Sequence, residues 1–162
     1  EKNMTWVLAP LLGLVLQTAP ADVWAPLRFL VGQWEGTASG KPGAGKTTRE
    51  YRFELNGQFL VGDNHGVYAK ETHQDRSIFS YDRAAKNFVL RQFHGEGFVN
   101  EYTLTGASPL EFLSRRIENI PEGWRARETY QVIGRDEFIE TFALAAPGKD
   151  FEVYSKTRLK RK

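Results

Sequence analysis

The sequence predicts an all-β protein: a single up-and-down antiparallel β-barrel of about ten strands with a short N-terminal helical plug. Three observations support this class. After Val31, apolar and polar residues alternate with the period of two that is typical of strands with one buried face. Short turn signals rich in Gly, Asn and Pro interrupt the alternation at nearly regular intervals. We favour a closed barrel over a sandwich, because the short turns join consecutive strands and closure leaves no exposed edge.

The composition fits one domain with an aromatic core. The 162 residues include 11 Phe, 6 Tyr and 4 Trp, and hydrophobic residues make up 41% of the chain. Lys and Arg number 22 against 20 Asp and Glu, so the overall charge gives no sign of a nucleic-acid partner. The chain has no Cys, which excludes thiolate catalysis, disulfides and Cys-based metal sites.

The first 21 residues have features of a secretory signal. Residues 4–16 form an uncharged apolar run that is too short for a comfortable transmembrane helix. Ala19-Pro20-Ala21 then provides small residues at the spacing of a cleavage site. We therefore expect a signal peptide over residues 1–21, a barrel domain over residues 22–162, no membrane span and a secreted or periplasmic location. The alternative is an N-terminal helix that lies on the domain.

The remaining elements follow one another without a linker. Apolar residues on one helical face, with Pro26 in the first turn, predict a short helix or 3-10 helix over residues 23–31. Asn56-Gly57 is a strong hairpin signal, and the polar residues 71–75 are interpreted as a turn. The predicted strands cover residues 33–39, 47–55, 58–70, 76–82, 87–94, 98–104, 110–119, 124–133, 137–145 and 151–159.

Residues 40–47 (GKPGAGKT) match the phosphate-loop pattern G-x-x-x-x-G-K-T. A phosphate loop needs a buried parallel strand before it and a helix after it, because the amides at the helix N-terminus bind the phosphates. Here the preceding residues alternate with Gly, Thr and Ser, and the following residues have strand periodicity. We therefore predict a Gly-rich hairpin loop with two exposed lysines.

The same alternation predicts which side chains point into the barrel. Four charged or titratable residues fall on interior faces, namely Arg116, Glu128, Glu140 and His94. An unpaired charge is unfavourable in an apolar lumen, so these residues should form a buried network or contact water and ligand in a cavity. The candidate ligand-binding set adds polar and aromatic residues on the same faces: Arg116, Glu128, Glu140, His94, Gln92, Asn100, Tyr102, Tyr130, Trp124 and Phe142.

No catalytic or metal-binding residue is assigned. His65 and His73 flank a predicted turn and could bind a metal with Asp63 or Asp75, but His residues near turns are usually solvated. No nucleophile lies in a recognisable elbow or triad context.

The segment LVGQWEG at residues 30–36, followed by about ten strands, resembles the calycin superfamily of lipocalins and fatty-acid-binding proteins. It looks most like bacterial lipocalin-like barrels of unknown function that neighbour the nitrobindin-type haem-binding barrels. The resemblance implies a structural cation–π contact between Trp34 and Arg158. Nitrobindin-like barrels bind haem iron through a His in the C-terminal strands, whereas this chain has no His after His94. No cofactor is therefore predicted.

Together these features predict an exported binding protein, a monomer or homodimer, that holds a small, mostly apolar molecule in the barrel lumen. The ligand would be lipid-like, fatty acid-like or pigment-like. One alternative is a small barrel enzyme, an isomerase or hydrolase that uses Glu128 or Glu140 as a base. Another is a haem barrel with an atypical iron ligand.

Overall fold

The computed structural model describes residues 22–69 and 71–162. These residues form a closed antiparallel β-barrel of ten strands, preceded by a 3-10 helix over Ala25–Leu30. Each strand pairs with its neighbours in sequence, and β1 pairs with β10 to close the barrel. The predicted fold class is confirmed. The strands are β1 (Gly32–Gly40), β2 (Gly45–Glu54), β3 (Phe59–Tyr68), β4 (Thr72–Asp82), β5 (Asn87–His94), β6 (Val99–Ala107), β7 (Leu110–Glu118), β8 (Arg125–Gly134), β9 (Glu137–Ala145) and β10 (Glu152–Arg161).

The predicted signal segment, residues 1–21, lies outside the described residues. Within the described part of the chain, no helix is both long enough and apolar enough to cross a membrane.

The predicted plug is present and closes one end of the barrel. Leu27 and Leu30 of the 3-10 helix are fully buried. Nε1 of Trp34 donates a hydrogen bond to the carbonyl oxygen of Leu30 at 2.6 Å, which ties the helix to β1. Above the plug, the lower half of the barrel is filled with large buried side chains, among them Tyr51, Leu60, Phe79, Leu90, Phe112, Tyr130 and Phe138.

The cation–π partner of Trp34 is Arg161, and the expectation of Arg158 was wrong. Arg161 lies opposite Trp34 in the β1–β10 register, and its guanidinium carbon is 4.2 Å from the ring centroid. Arg158 is three residues away and therefore points to the opposite face of the strand. There it forms an ion pair with Glu137 on the outer surface.

The segment that matches the phosphate-loop pattern is a hairpin, as predicted. It connects β1 to its antiparallel partner β2, and no helix follows it among the described residues. Lys41 forms an ion pair with Glu152 of β10 at 2.9 Å, and the hydroxyl of Thr47 donates a hydrogen bond to the carbonyl oxygen of His65. Because strand β2 follows the loop, the segment lacks the helix N-terminal amides that bind phosphates in a phosphate loop.

Strand β4 begins at Thr72, although residues 71–75 were interpreted as a turn. His73 and Asp75 belong to the strand and alternate with the exposed Gln74 and Arg76. They are polar but point inward, because this part of the strand borders a cavity and not the apolar core. Polarity alone was therefore a misleading sign of a turn.

Arg116 does not point into the barrel, contrary to the prediction. Glu101 pairs with Arg116 but the next residue of β6, Tyr102, pairs with Ser114. Arg115 is therefore an extra residue, which makes a β-bulge and shifts the alternation by one position. As a result the side chain of Arg116 is 72% exposed, and Ile117 takes the inward position.

Candidate ligand-binding cavity

A cavity of about 530 Å³ occupies the barrel end opposite the plug. In an up-and-down barrel every second connection lies at the same end, so the 3-10 helix before β1 and the β1–β2 hairpin are at opposite ends. The connections after β1, β3, β5, β7 and β9 surround the mouth. The volume falls within the usual range of small-molecule sites, about 300–1,000 Å³.

One wall of the cavity, made by β2 to β6, is polar. Its side chains come from positions that alternate with exposed residues, so the strand periodicity directs them inward. The residues of this wall are Arg49, Asn64, His73, Asp75, Gln92, His94 and Asn100.

The opposite wall is mainly apolar. It is built from β7, the β7–β8 connection, β9 and β10, and Phe98 from the β5–β6 turn joins it. The apolar and aromatic residues are Phe98, Ile117, Ile120, Pro121, Trp124, Phe142, Leu144 and Tyr154. A ligand that fills the cavity therefore contacts polar groups on one side and apolar groups on the other.

Arg49 and Glu140 form an ion pair across the lumen. Nη2 of Arg49 lies 2.8 Å from Oε1 of Glu140, and Nε lies 3.4 Å from Oε2. Their strands, β2 and β9, are not neighbours in the sheet, so the pair spans the barrel interior. Arg49 also donates a short hydrogen bond to the hydroxyl of Thr47. This cation is thus already neutralised by a protein carboxylate.

Glu128 is a buried carboxylic acid in the cavity wall. The residue is 2% exposed, and its Oε1 has no hydrogen-bond partner among the described residues. Burial raises the pKa of the Glu128 carboxyl well above its ordinary value, and the negative charges of Glu140 and Asp75 raise it further. This environment favours the neutral form of the carboxyl over the carboxylate.

His73 is held between two carboxylates. Its Nδ1 lies 2.8 Å from Oε1 of Glu96, and its Nε2 lies 3.2 Å from Oδ2 of Asp75. The hydrogen bond with Asp75 is the main reason that the pKa of His73 is raised to about 9, although burial acts in the opposite direction. The other oxygen of Asp75 accepts a hydrogen bond from Nδ2 of Asn64 at 2.7 Å.

His94 lies next to Asp75 in the β4–β5 register. Its ring stacks on Phe98 with centroids 4.0 Å apart. Burial lowers the pKa of His94 to about 4, so the ring is neutral at pH 7. Nε2 of His94 contacts Nδ2 of Asn100 at 3.2 Å, and Asn100 in turn contacts the hydroxyl of Tyr102 at 2.9 Å. Nδ1 of His94 is buried and has no partner in the described chain.

The structure places most of the predicted site residues together. Tyr102 is fully buried and hydrogen-bonded to the lining residues Gln92 and Asn100. Tyr130 is fully buried in the apolar core, and Arg116 lies on the outer surface. The following seven line the cavity: Gln92, His94, Asn100, Trp124, Glu128, Glu140 and Phe142.

Four of the seven residues of the polar wall were not in the predicted set: Arg49, Asn64, His73 and Asp75. Arg49 was recognisable, since it shares its predicted strand face with Tyr51 and Phe53. His73 and Asp75 alternate in the same way, but their strand was read as a turn. Of the metal ligands that the sequence suggested, His73 and Asp75 lie together, whereas His65 is exposed and Asp63 forms ion pairs with Arg52 and Arg76.

The comparisons with known proteins support the fold alone. Neither a protein-family model nor a curated protein matches the sequence. Among solved structures, the chain is similar to the crystal structure of Rv2717c from M. tuberculosis, with a TM-score of 0.66 and 17% sequence identity. The match covers 88% of this chain and 98% of that protein. A calycin-like barrel is consistent with this similarity, which at such low identity does not specify the superfamily or a ligand.

Proposed function

We propose that this protein binds one small molecule in the barrel lumen, with an apolar body and a polar end that is neutral or cationic. The observation that carries this proposal is the two-sided cavity, in which polar side chains from β2 to β6 face apolar side chains from β7 to β10. The expectation that the protein acts outside the cytoplasm is part of the proposal and is supported by the sequence of residues 1–21.

The charge of the cavity wall argues against a fatty acid carboxylate as the polar end. Four carboxylates, Glu71, Asp75, Glu96 and Glu140, border the cavity. The cations among the described lining residues are Arg49, which is paired with Glu140, and the protonated His73. An anionic group would therefore meet an excess of negative charge, whereas a hydroxyl, amide or ammonium could use the carboxylate and amide oxygens.

The proposal is tested with three fluorescent probes that share one alkyl chain and end in an alcohol, an amine or a carboxylate. We expect saturable binding of one equivalent, with the alcohol and amine at least about tenfold tighter than the carboxylate. Trp124→Ala removes part of the apolar wall and should weaken binding of the alcohol probe. Phe93→Ala is the matched control, because Phe93 is an aromatic residue of similar exposure on the outer face of β5.

Three results would contradict the proposal. The first is the absence of saturable binding of all three probes, combined with an empty barrel in native mass spectrometry of protein from its own source. The second is a preference for the carboxylate probe, which would overturn the assignment of the polar end. Equal effects of Trp124→Ala and Phe93→Ala would place the bound probe outside the cavity.

A further inference from the structure

We propose that His73, Asp75 and His94 bind one divalent transition-metal ion of the zinc type in the polar wall of the cavity. One ligand atom from each residue lies within 4.8 Å of the others. Two imidazole nitrogens and one carboxylate oxygen form a ligand set that zinc enzymes use when a coordination position is left open. The proposal does not depend on the proposed lumen ligand.

The strand register brings the three residues together. Asp75 lies directly opposite His94 in the β4–β5 ladder, and His73 is on the same inward face of β4, two residues before Asp75. Nε2 of His73 is 3.2 Å from Oδ2 of Asp75. Two ligands that are each about 2.0–2.1 Å from a tetrahedral ion are separated by about 3.3 Å. This pair therefore needs little movement to share an ion.

Two of the three proposed ligands, His73 and Asp75, have outer partners of the kind that supports metal ligands. Metal-bound His residues commonly donate their second ring N–H to a carboxylate or a carbonyl. Nδ1 of His73 is 2.8 Å from Glu96, and Oδ1 of Asp75 accepts a hydrogen bond from Asn64. Nδ2 of Asn100 lies 3.2 Å from Nε2 of His94 and donates to it, so the ring proton of the neutral imidazole is on Nδ1, which has no partner in the described residues. Metal binding at Nδ1 moves this proton to Nε2, where the amide of Asn100 must turn so that Oδ1, which also has no partner there, accepts it.

The alternative is that the cluster only forms ion pairs between His73 and its two carboxylates. That arrangement accounts for His73 and Asp75 but leaves Nδ1 of His94 buried and unpartnered. A metal ion would use this kind of group. Its double positive charge would offset the excess of carboxylates around the cavity, so the probe preference given under the proposed function applies to the metal-free chain. Binding would displace the proton that His73 shares with Asp75, so one proton is released to solvent.

In the test, the tag-free full chain is treated with EDTA and then titrated with metal ions. Binding of Zn²⁺ is measured by calorimetry, and binding of Co²⁺ is measured by visible absorption. We expect one site, Co²⁺ bands of a site with nitrogen and oxygen ligands, and no competition from millimolar Mg²⁺. His73→Ala and His94→Ala should each weaken Zn²⁺ binding at least tenfold. Glu96→Gln replaces the outer carboxylate partner of His73 with a neutral amide and should weaken Zn²⁺ binding about tenfold.

His65→Ala is the matched control, because His65 lies on the neighbouring strand β3 and is exposed on the outer face. Its Zn²⁺ affinity should equal that of the unchanged chain. Asp75→Asn should also weaken Zn²⁺ binding. Circular dichroism of each variant shows whether it is folded, and if Asp75→Asn does not fold, the two His variants decide. The proposal is overturned by the absence of stoichiometric binding, or by a His65→Ala effect as large as that of His73→Ala. Loss of alkyl-probe binding with intact Zn²⁺ binding would contradict only the proposed function.

Discussion

At the scale of single residues, Arg49 and Glu140 carry opposite charges inside the barrel, with side chains only 7% and 11% exposed. Glu140→Gln would leave the buried guanidinium without its counter-charge. Because removing one partner of a buried pair is strongly unfavourable, we expect the free energy of unfolding to fall by about 3 kcal/mol. Urea denaturation of both proteins at pH 7 measures the difference.

The exposed pair Arg91–Glu101, with a separation of 2.8 Å, is the control. Glu101→Gln should lower the free energy of unfolding by less than about 1 kcal/mol, since solvent screens exposed charges. Replacing both buried partners, Arg49→Met with Glu140→Leu, should restore much of the loss, because no unpaired charge remains. A Glu140→Gln effect as small as that of Glu101→Gln would show that water already solvates the pair.

The same residues show how far the sequence could predict the site. Alternation correctly placed Glu128, Glu140 and His94 in the interior, because each belongs to a regular part of its strand. It could not identify Arg49 as the partner of Glu140. Which residues meet across a barrel depends on the stagger between strands that are not neighbours, and alternation within one strand carries no information about that stagger.

At the scale of the strand, the bulge at Arg115 decides which side chains of β7 reach the cavity. Arg116→Ala should leave both the free energy of unfolding and alcohol-probe affinity almost unchanged, because its side chain is 72% exposed. Ile117→Ala should weaken binding of the alcohol probe several-fold, since Ile117 lines the cavity. Probe titration of the two variants measures the contrast. If Arg116→Ala weakened probe binding more than Ile117→Ala, β7 would have to continue without a bulge.

Strands β4 and β7 also explain where the prediction of elements failed. The strands with apolar inner faces, such as β9, were found with nearly the observed boundaries. The beginning of β4 was interpreted as a turn because its inward residues, His73 and Asp75, face the cavity and are polar. The bulge in β7 was missed because the added residue, Arg115, gives no compositional signal beside the identical Arg116.

At the scale of the whole molecule, the closed barrel depends on the seam between the first and last strands. We predicted closure because short turns join consecutive strands and a closed barrel leaves no exposed edge, and the observed β1–β10 pairing confirms it. The seam joins the parts of the barrel that are most distant in sequence, so its packing fixes both the plug and the cavity mouth. Gly36 lies in the middle of this seam, opposite Leu159.

Gly36→Ala should therefore test closure directly. A Cβ atom at this position would lie 2.1 Å from the carbonyl oxygen of Arg158, so the two strands must move apart. We expect the free energy of unfolding to fall by about 1–3 kcal/mol, as for other overpacked positions. Hydrogen exchange should accelerate in β1 and β10 more than in β4 and β5, since only the seam is forced open.

Gly134→Ala provides the control, because a Cβ atom there meets no heavy atom within 4 Å. It should change neither the free energy of unfolding nor exchange at the seam by a measurable amount. If Gly36→Ala also changed neither the free energy of unfolding nor the exchange rates, β1 and β10 would have to lie further apart than their pairing requires. If exchange accelerated uniformly around the barrel instead, the strands would unfold as one cooperative unit, and the seam would not be the weakest point of closure.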